Sequence, residues 1–160
     1  MRAVPEGKPV SASKIELTQV MLPEDTNSAG NVHGGTIMKL ADNAAFVVAS
    51  RHSRSNVVTV SVDRLDFLAP VYIGDLLILK ARLNWVGNAS MEIGIDIDAE
   101  DLFSGQLRHV AIARLTFVAL DHHGRPKGVP KLILETDTDR LIFEQAAKRA
   151  AERRQLRKKQ

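Results

Sequence analysis

The feature that most constrains the fold is a segment from about Gly35 to Arg51 that has helical character and is apolar on nearly every side. This pattern is typical of a helix surrounded by protein rather than one lying on a surface. Asp42 falls in the middle of the segment, where an ionised carboxylate is costly unless it is paired or used in chemistry. Lys39 is the only evident cationic partner. The search for a function therefore starts from Asp42.

The chain after this helix changes to a period of two, which predicts β-strands. The expected strands cover residues 57–69, 76–85, 91–98 and 107–120, and a shorter one precedes the helix at residues 15–21. Consecutive strands joined by short turns favour an antiparallel sheet over an α/β crossover fold. A sheet curled around the apolar helix would cover it. We therefore predict an α+β fold, in which a five-stranded antiparallel sheet wraps around a central buried helix.

The two ends of the chain are expected to differ from this body. Residues 1–12 are predicted to be a flexible N-terminal arm, residues 13–132 the folded domain, and residues 133–160 a C-terminal helix with a basic tail. Thr136 and Asp139 have the spacing of a capping box at the start of that helix.

The positive charge of the chain is concentrated at its C-terminus. Residues 140–160 carry eight basic and two acidic side chains, a local charge of +6, whereas the rest of the chain carries fourteen basic and seventeen acidic ones. Phe143 is the only aromatic residue in this run, and a nucleic-acid site needs stacking aromatics on a basic face. A solvated helix end is the expectation, with attraction to a phosphate-rich ligand or a polyanion as the alternative.

Composition excludes several classes of site. At 160 residues the chain is expected to form one domain. It contains no cysteine, so disulfides, thiolate nucleophiles and cysteine-ligated zinc are excluded. No apolar run reaches the roughly 18 residues of a membrane span, and the N-terminus has no signal-peptide pattern. We therefore expect a cytoplasmic protein with neither nucleic acid nor membrane as a partner.

Six motifs in chain order resemble a known family. They are residues 21–27, 30–42, 57–63, 67–75, 88–91 and 124–130. Together they resemble the hot-dog-fold acyl-CoA thioesterases of the cytosolic acyl-CoA hydrolase type, and in particular the bacterial members with a single hot-dog unit. The His-Gly-Gly sequence alone is a weak signal, but the ordered set is specific.

The resemblance implies a hot-dog fold and hydrolysis of acyl-CoA to free fatty acid and CoA, with no metal or other cofactor. It also implies a homodimer, assembled further into a hexamer as a trimer of dimers. Within the family an asparagine and an acidic residue act together, and these positions fall on Asn27 and Asp42. The family's contacts with the CoA portion fall on Thr59, Val60, Ser61, Asn88, Ala89 and Ser90. We also predict that His33 and Gly34 contact the substrate.

Helix geometry adds a constraint of its own. A helix rises ~1.5 Å per residue, so Gly35 and Asp42 lie roughly 10 Å apart along one axis. The free amides at a helix N-terminus are natural donors to an oxyanion. One helix cannot bring both groups to the same carbon atom, whereas antiparallel helices in a two-fold dimer can. We expect a composite site in which Gly35 of one subunit supplies the oxyanion donor. Asp42 of the other subunit acts as general base or as nucleophile, and the sequence leaves both open.

Each of these residues has a structural alternative. The side chain of Asn27 is able to form a turn in its own loop. The alternative role of Gly34 and Gly35 is to permit tight packing between the helix and the sheet. Asp42 has the alternative of bonding neighbouring backbone.

Two other functions compete with hydrolysis. One is a hydroxyacyl-thioester dehydratase, which needs a catalytic histidine facing the substrate, and His33 lies in the wrong local sequence for that role. The other is a non-catalytic acyl-CoA-binding protein. The chain lacks a Gly-x-Ser-x-Gly motif, and His122 and His123 lack a third metal ligand.

Overall fold

The structure is a computed structural model and describes residues 6–160. Within this range the strands are β1 Lys8–Pro9, β2 Ile15–Val20, β3 Asn56–Phe67, β4 Leu76–Val86, β5 Ser90–Glu100, β6 Leu107–Leu120 and β7 Leu132–Ile133. The α-helices of the described residues are α1 Gly34–Ser53 and α2 Asp137–Lys158, and one-turn 3₁₀ helices cover Val10–Ala12 and Pro23–Asp25. None of the described helices is long and apolar enough to cross a bilayer.

Five of the strands form one antiparallel sheet in the order β2-β4-β5-β6-β3. The helix α1 packs against all five strands on one face of this sheet. The predicted hot-dog architecture is therefore confirmed. The strand β3 is an edge strand of this sheet, so one row of its backbone groups has no strand partner among residues 6–160.

The core lies between α1 and the sheet. Strand β5 alternates as predicted, and its residues Ile93, Ile95 and Ile97 are at most 2% exposed. Full burial of each such side chain contributes about 1.5–3 kcal/mol. On the facing side of α1 the buried residues include Ala44 and Ala45, both 0% exposed, whose small side chains allow the helix to approach the sheet closely.

The opposite face of α1 differs from the prediction of a helix covered on every side. Met38, Phe46 and Val47 are 44%, 47% and 37% exposed. The valines of β3 are also exposed, namely Val58, Val60 and Val62. A single sheet covers only one side of a helix, and an apolar sequence does not reveal whether the remaining cover comes from the same chain.

The N-terminal segment also differs from the expected flexible arm. Residues 1–5 of that arm lie outside the described residues. Further along, Lys8 and Pro9 pair in parallel with β7, and Val10 is only 3% exposed. Lys8 Nζ donates a hydrogen bond of 3.0 Å to the carbonyl oxygen of His52 at the end of α1. Two-residue pairing of this kind is too short to produce a periodic pattern in the sequence.

The helix α2 begins at the predicted cap. Thr136 Oγ1 accepts a hydrogen bond from the Asp139 backbone N–H at 3.0 Å, and Asp139 Oδ2 accepts one from the Glu135 N–H at 3.2 Å. The helix then continues to Lys158, so that the basic residues lie on regular helix. It packs on the outer face of the sheet through Ala146 and Ala150 against Trp85, which follows a bulge in β4.

Candidate active site

Asp42 lies on the open side of α1 and is held by one neighbour from the sheet. Thr59 Oγ1, on β3, donates a hydrogen bond of 2.7 Å to Asp42 Oδ1. Thr59 was predicted to contact the CoA portion, and its bond to the carboxylate was missed. The two residues are 17 positions apart, and pairing of β3 with β6 places Thr59 beside the helix.

The carboxylate of Asp42 has no cationic partner in the part of the chain that the structure describes. Lys39 is exposed and forms no ion pair with it. The hydroxyl of Thr59 occupies Oδ1 and fixes the orientation of the group, while Oδ2 receives no hydrogen bond from a described residue. A partly buried, oriented carboxylate with a free oxygen is suited to take a proton from water or to attack a thioester carbon.

The N-terminus of α1 presents two backbone donors. Thr36 N and Ile37 N bond to the carbonyl of His33, whereas the N–H groups of Gly34 and Gly35 have no acceptor among residues 6–160. A Cβ atom on Gly34 would lie 3.1 Å from Phe67 Cζ, so Gly34 serves tight packing, one of the structural alternatives. Gly35 has open space around it and leaves its amide accessible. His33 is exposed and its side chain does not cap the helix.

Asn27 lies in the loop before α1. Its Oδ1 accepts hydrogen bonds from Ala29 N at 3.0 Å and Asn31 N at 3.3 Å, so the side chain forms the turn given above as its alternative. This turn fixes the carboxamide, and no described residue accepts a hydrogen bond from its Nδ2. Asn27 and Gly34 line a cavity of about 430 Å³ whose wall is largely apolar. The turn and a role toward substrate are therefore compatible.

The candidate residues thus form two half-sites in one chain. Asp42 is hydrogen-bonded to Thr59, whereas Asn27 and Gly34 line one cavity at the start of the helix. Gly35 and Asp42 are seven positions apart on the helix, which is roughly 10 Å along its axis. The structure does not bring the two half-sites together within one chain.

The remaining predicted contacts lie around the edge of the sheet. Val60 falls at a bulge in β3, and Ser61 Oγ donates to Asp63 Oδ1 at 2.8 Å. The carbonyls of Asn88 and Ala89 accept bonds from Val129 N and Ala119 N, both 2.9 Å. Ser90 lies beside Val60 in a small depression on the outer face. None of these five residues forms a hydrogen bond with Asp42.

Metal ligands do not cluster in the described part of the chain. Over residues 6–160 no three His, Cys, Asp or Glu side chains are grouped to hold an ion. In the turn after β6 the ring centroids of His122 and His123 lie 4.4 Å apart, with the rings tilted by 45° to each other.

Comparison with known proteins identifies the family. Residues 29–102 match the profile of the Thioesterase superfamily. A Bacillus subtilis protein named as an uncharacterized acyl-CoA thioester hydrolase is 37% identical over 150 residues, which are 94% of this chain and 87% of the relative. The chain belongs to the thioesterase superfamily. The human cytosolic acyl coenzyme A thioester hydrolase is 38% identical over 143 residues, but the match spans only 38% of its length.

Solved structures of this superfamily superpose closely. The acyl-CoA hydrolase of Staphylococcus aureus, in complex with butyryl coenzyme A, coenzyme A and coenzyme A disulfide, has a TM-score of 0.87 at 36% identity, covering 95% of this chain and 93% of its own. An apo-hexameric acyl-CoA thioesterase has a TM-score of 0.90 at 32% identity, covering 94% and 97%. Further structures carry an aspartate, a threonine or an asparagine of the S. aureus enzyme changed to alanine.

Proposed function

We propose that this chain hydrolyses acyl-CoA thioesters to free fatty acid and CoA. The observation that carries the proposal is the carboxylate of Asp42, which is oriented by the Thr59 hydroxyl at 2.7 Å and has no cationic partner among the described residues. A carboxylate that is oriented and has a free oxygen is suited to act as a base or a nucleophile. The named activity of the relatives, which match 94% of the chain at 37% identity, supports the same reaction.

The spacing of three residues supports the assignment of roles. In the S. aureus enzyme the altered asparagine precedes the altered aspartate by 15 residues, and the altered threonine follows it by 17. In this chain Asn27 precedes Asp42 by 15 residues and Thr59 follows it by 17. The residue types and both intervals agree.

A second copy of the chain completes the proposed site. Helix α1 exposes the apolar residues Met38, Phe46 and Val47, and the edge strand β3 exposes Val58, Val60 and Val62. Such a face and an unpaired strand edge are suited to an isologous interface. Antiparallel α1 helices would place the Gly35 amide and Asn27 of one subunit opposite Asp42 of its partner. Named hexameric relatives support further assembly, which we propose to be a trimer of dimers in the cytoplasm.

The reaction then proceeds with protein groups alone. Asp42, held by Thr59, takes a proton from water while the water oxygen attacks the thioester carbon. The carbonyl oxygen becomes an oxyanion and receives hydrogen bonds from the Gly35 amide and Asn27 Nδ2 of the partner subunit. The carbon–sulfur bond breaks, the fatty acid is released, and the CoA thiolate takes up a proton. Direct attack by Asp42, which passes through an anhydride that water then hydrolyses, gives the same products.

Release of free thiol from butyryl-CoA tests the proposal. We expect turnover in the parent protein and its loss in Asp42→Ala. Asp96→Ala removes an exposed carboxylate on β5 and is expected to leave the rate unchanged. An enoyl product without free thiol, formed from a hydroxyacyl-CoA, would favour the dehydratase. Binding of CoA without turnover would favour the non-catalytic alternative.

A further inference from the structure

The outer face of the sheet carries a small basic depression beneath the second half of α2. Its volume is about 80 Å³. Three arginines of α2 line it, Arg153, Arg154 and Arg157, together with the hydroxyl-bearing residues Ser90 and Thr116. No carboxylate belongs to the lining, and the remaining lining residues are apolar. Guanidinium groups around a hydroxyl-lined hollow are the donors that a phosphate group prefers.

The three arginines differ in whether a carboxylate pairs with their charge. Arg153 Nη1 lies 3.6 Å from Glu92 Oε1, a fully buried carboxylate that Arg149 already binds through two hydrogen bonds. Arg154 and Arg157 form no ion pair with any residue in the range 6–160. Like charges three or four residues apart on a helix repel one another. A bound anion would relieve that repulsion.

The position of the depression relates it to the active site. Val60 lines it and directly follows Thr59 in β3, at the bulge of that strand. The depression and the Asp42–Thr59 pair therefore lie on either side of one edge strand. In acyl-CoA the phosphate groups are separated from the thioester by the long pantetheine arm, so a site for phosphate must stand apart from Asp42.

We propose that Arg154 and Arg157 bind a phosphate group of the CoA portion of the substrate, an inference that rests on the proposed thioesterase activity. Since a water molecule takes about 30 Å³, the depression has room for a single phosphate group rather than a nucleotide. A larger cavity of about 520 Å³ near Arg54 and Lys127 also offers cations, but its lining includes the carboxylate of Asp121. The arginine depression is the better site for an anion.

Two double variants test this proposal with equal changes of charge. Arg154→Ala with Arg157→Ala empties the depression of its unpaired cations, whereas Lys158→Ala with Lys159→Ala removes two neighbouring cations that do not line it. Because charge-assisted hydrogen bonds at an exposed site are involved, the first variant should raise the KM for butyryl-CoA about tenfold and leave kcat unchanged. The lysine variant should leave both constants unchanged. Turnover of S-butyryl-pantetheine, which has no phosphate, should be the same in all three proteins.

Three results would overturn the proposal. An unchanged KM for butyryl-CoA in the arginine variant would show that the depression is not used. A rise in KM of the same size in the lysine variant would show that the basic C-terminus attracts the polyanionic substrate in general, without a specific phosphate site. An equal loss of turnover on the pantetheine thioester would indicate a structural role for the arginines.

Inhibition by adenosine 3′,5′-bisphosphate separates substrate phosphate from a free nucleotide. Inhibition that competes with butyryl-CoA and weakens in the arginine variant is the expected result. Inhibition that lowers kcat without competition would instead make the depression a regulatory site and contradict the proposal. Calorimetric titration of the parent and of the arginine variant with CoA measures the difference in their affinity for CoA without turnover. If the parent protein released no thiol from butyryl-CoA, the proposed function itself would fail. That result differs from each of the results that contradict the phosphate site.

Discussion

Two carboxylates in this molecule show how differently the same group is used. Glu92 on β5 is 0% exposed, and Arg149 donates to it through Nε at 3.1 Å and through Nη2 at 2.8 Å. Asn84 Nδ2 adds a third bond at 2.9 Å. Asp42 is only partly buried and receives one hydrogen bond, from Thr59. The more buried group has every partner that it needs, and the more accessible one has a free oxygen.

The surroundings of Glu92 make it part of the architecture. Burial raises its pKa, but the hydrogen bonds from Arg149 and Asn84 and the charges of Arg149 and Arg153 outweigh burial and hold the pKa below its ordinary value. The same contact raises the pKa of Arg149. Because Arg149 belongs to α2 and Glu92 to the sheet, the pair fixes the helix on the outer face. A fully paired buried carboxylate stabilises a structure, whereas an oriented carboxylate with a free oxygen can react.

The largest effect is expected from removing the charge of Asp42 with little change of shape. Asp42→Asn should lower kcat by about 10³–10⁴-fold, since a general base or nucleophile is lost. The free energy of unfolding should change by less than about 1 kcal/mol, since Asp42 is only partly buried and a single hydrogen bond is altered. Thiol release and urea denaturation measure the two quantities. Residual activity within tenfold of the parent would remove Asp42 from the chemistry.

The corresponding acid-to-amide substitution at the buried carboxylate is Glu92→Gln. It leaves Arg149 opposite an amide in place of a carboxylate, and we expect a loss of about 2–3 kcal/mol in the free energy of unfolding. The turnover of the folded protein should stay near that of the parent. Urea denaturation followed by circular dichroism gives the stability. A stable Glu92→Gln protein with impaired kcat would reverse the roles assigned to the two carboxylates.

A smaller effect is expected from the hydroxyl that orients Asp42. Thr59→Val keeps the shape of the side chain but removes the donor, and kcat should fall about tenfold, the lower end for a hydrogen bond to a charged group. Thr59→Ser keeps the donor and should retain most of the activity. If the serine and valine variants are equally slow, the methyl group of Thr59 rather than its hydroxyl matters.

The smallest effect is a dependence of stability on pH. Because the pKa of Glu92 is lowered in the folded state, its contribution is present above its ordinary value of 4.5 and is lost as the pH falls through the folded pKa. The stability difference between the parent and Glu92→Gln should therefore shrink as the pH is lowered below about 4.5. Urea denaturation at a series of pH values measures this difference. A difference that stays constant to the lowest pH would contradict the ion pair.

Periodicity was sufficient to predict the fold. The period of two in residues 57–120 placed β3 to β6 within a few residues of their observed bounds. The spacing of Thr136 and Asp139 gave the start of α2. These features depend on neighbours in sequence, and local patterns therefore report them.

Features that depend on packing between residues far apart in sequence could not be predicted from periodicity. Glu92 occupies a strand position that alternation assigns to solvent, and only the docking of α2 buries it. The contact between Thr59 and Asp42 requires the sheet to be assembled around α1. The resemblance to the acyl-CoA thioesterases identified both Asp42 and Thr59, but it did not predict the hydrogen bond between them.

The central claim is that each active site combines Asp42 of one subunit with Asn27 and Gly35 of its partner. Asn27→Ala and Asp42→Ala proteins, each expected to be inactive alone, can be unfolded together in equal amounts and refolded. Since half of the subunits retain each group, a composite site predicts recovery of about a quarter of the parental activity. A mixture that stays as inactive as its components would contradict the composite site.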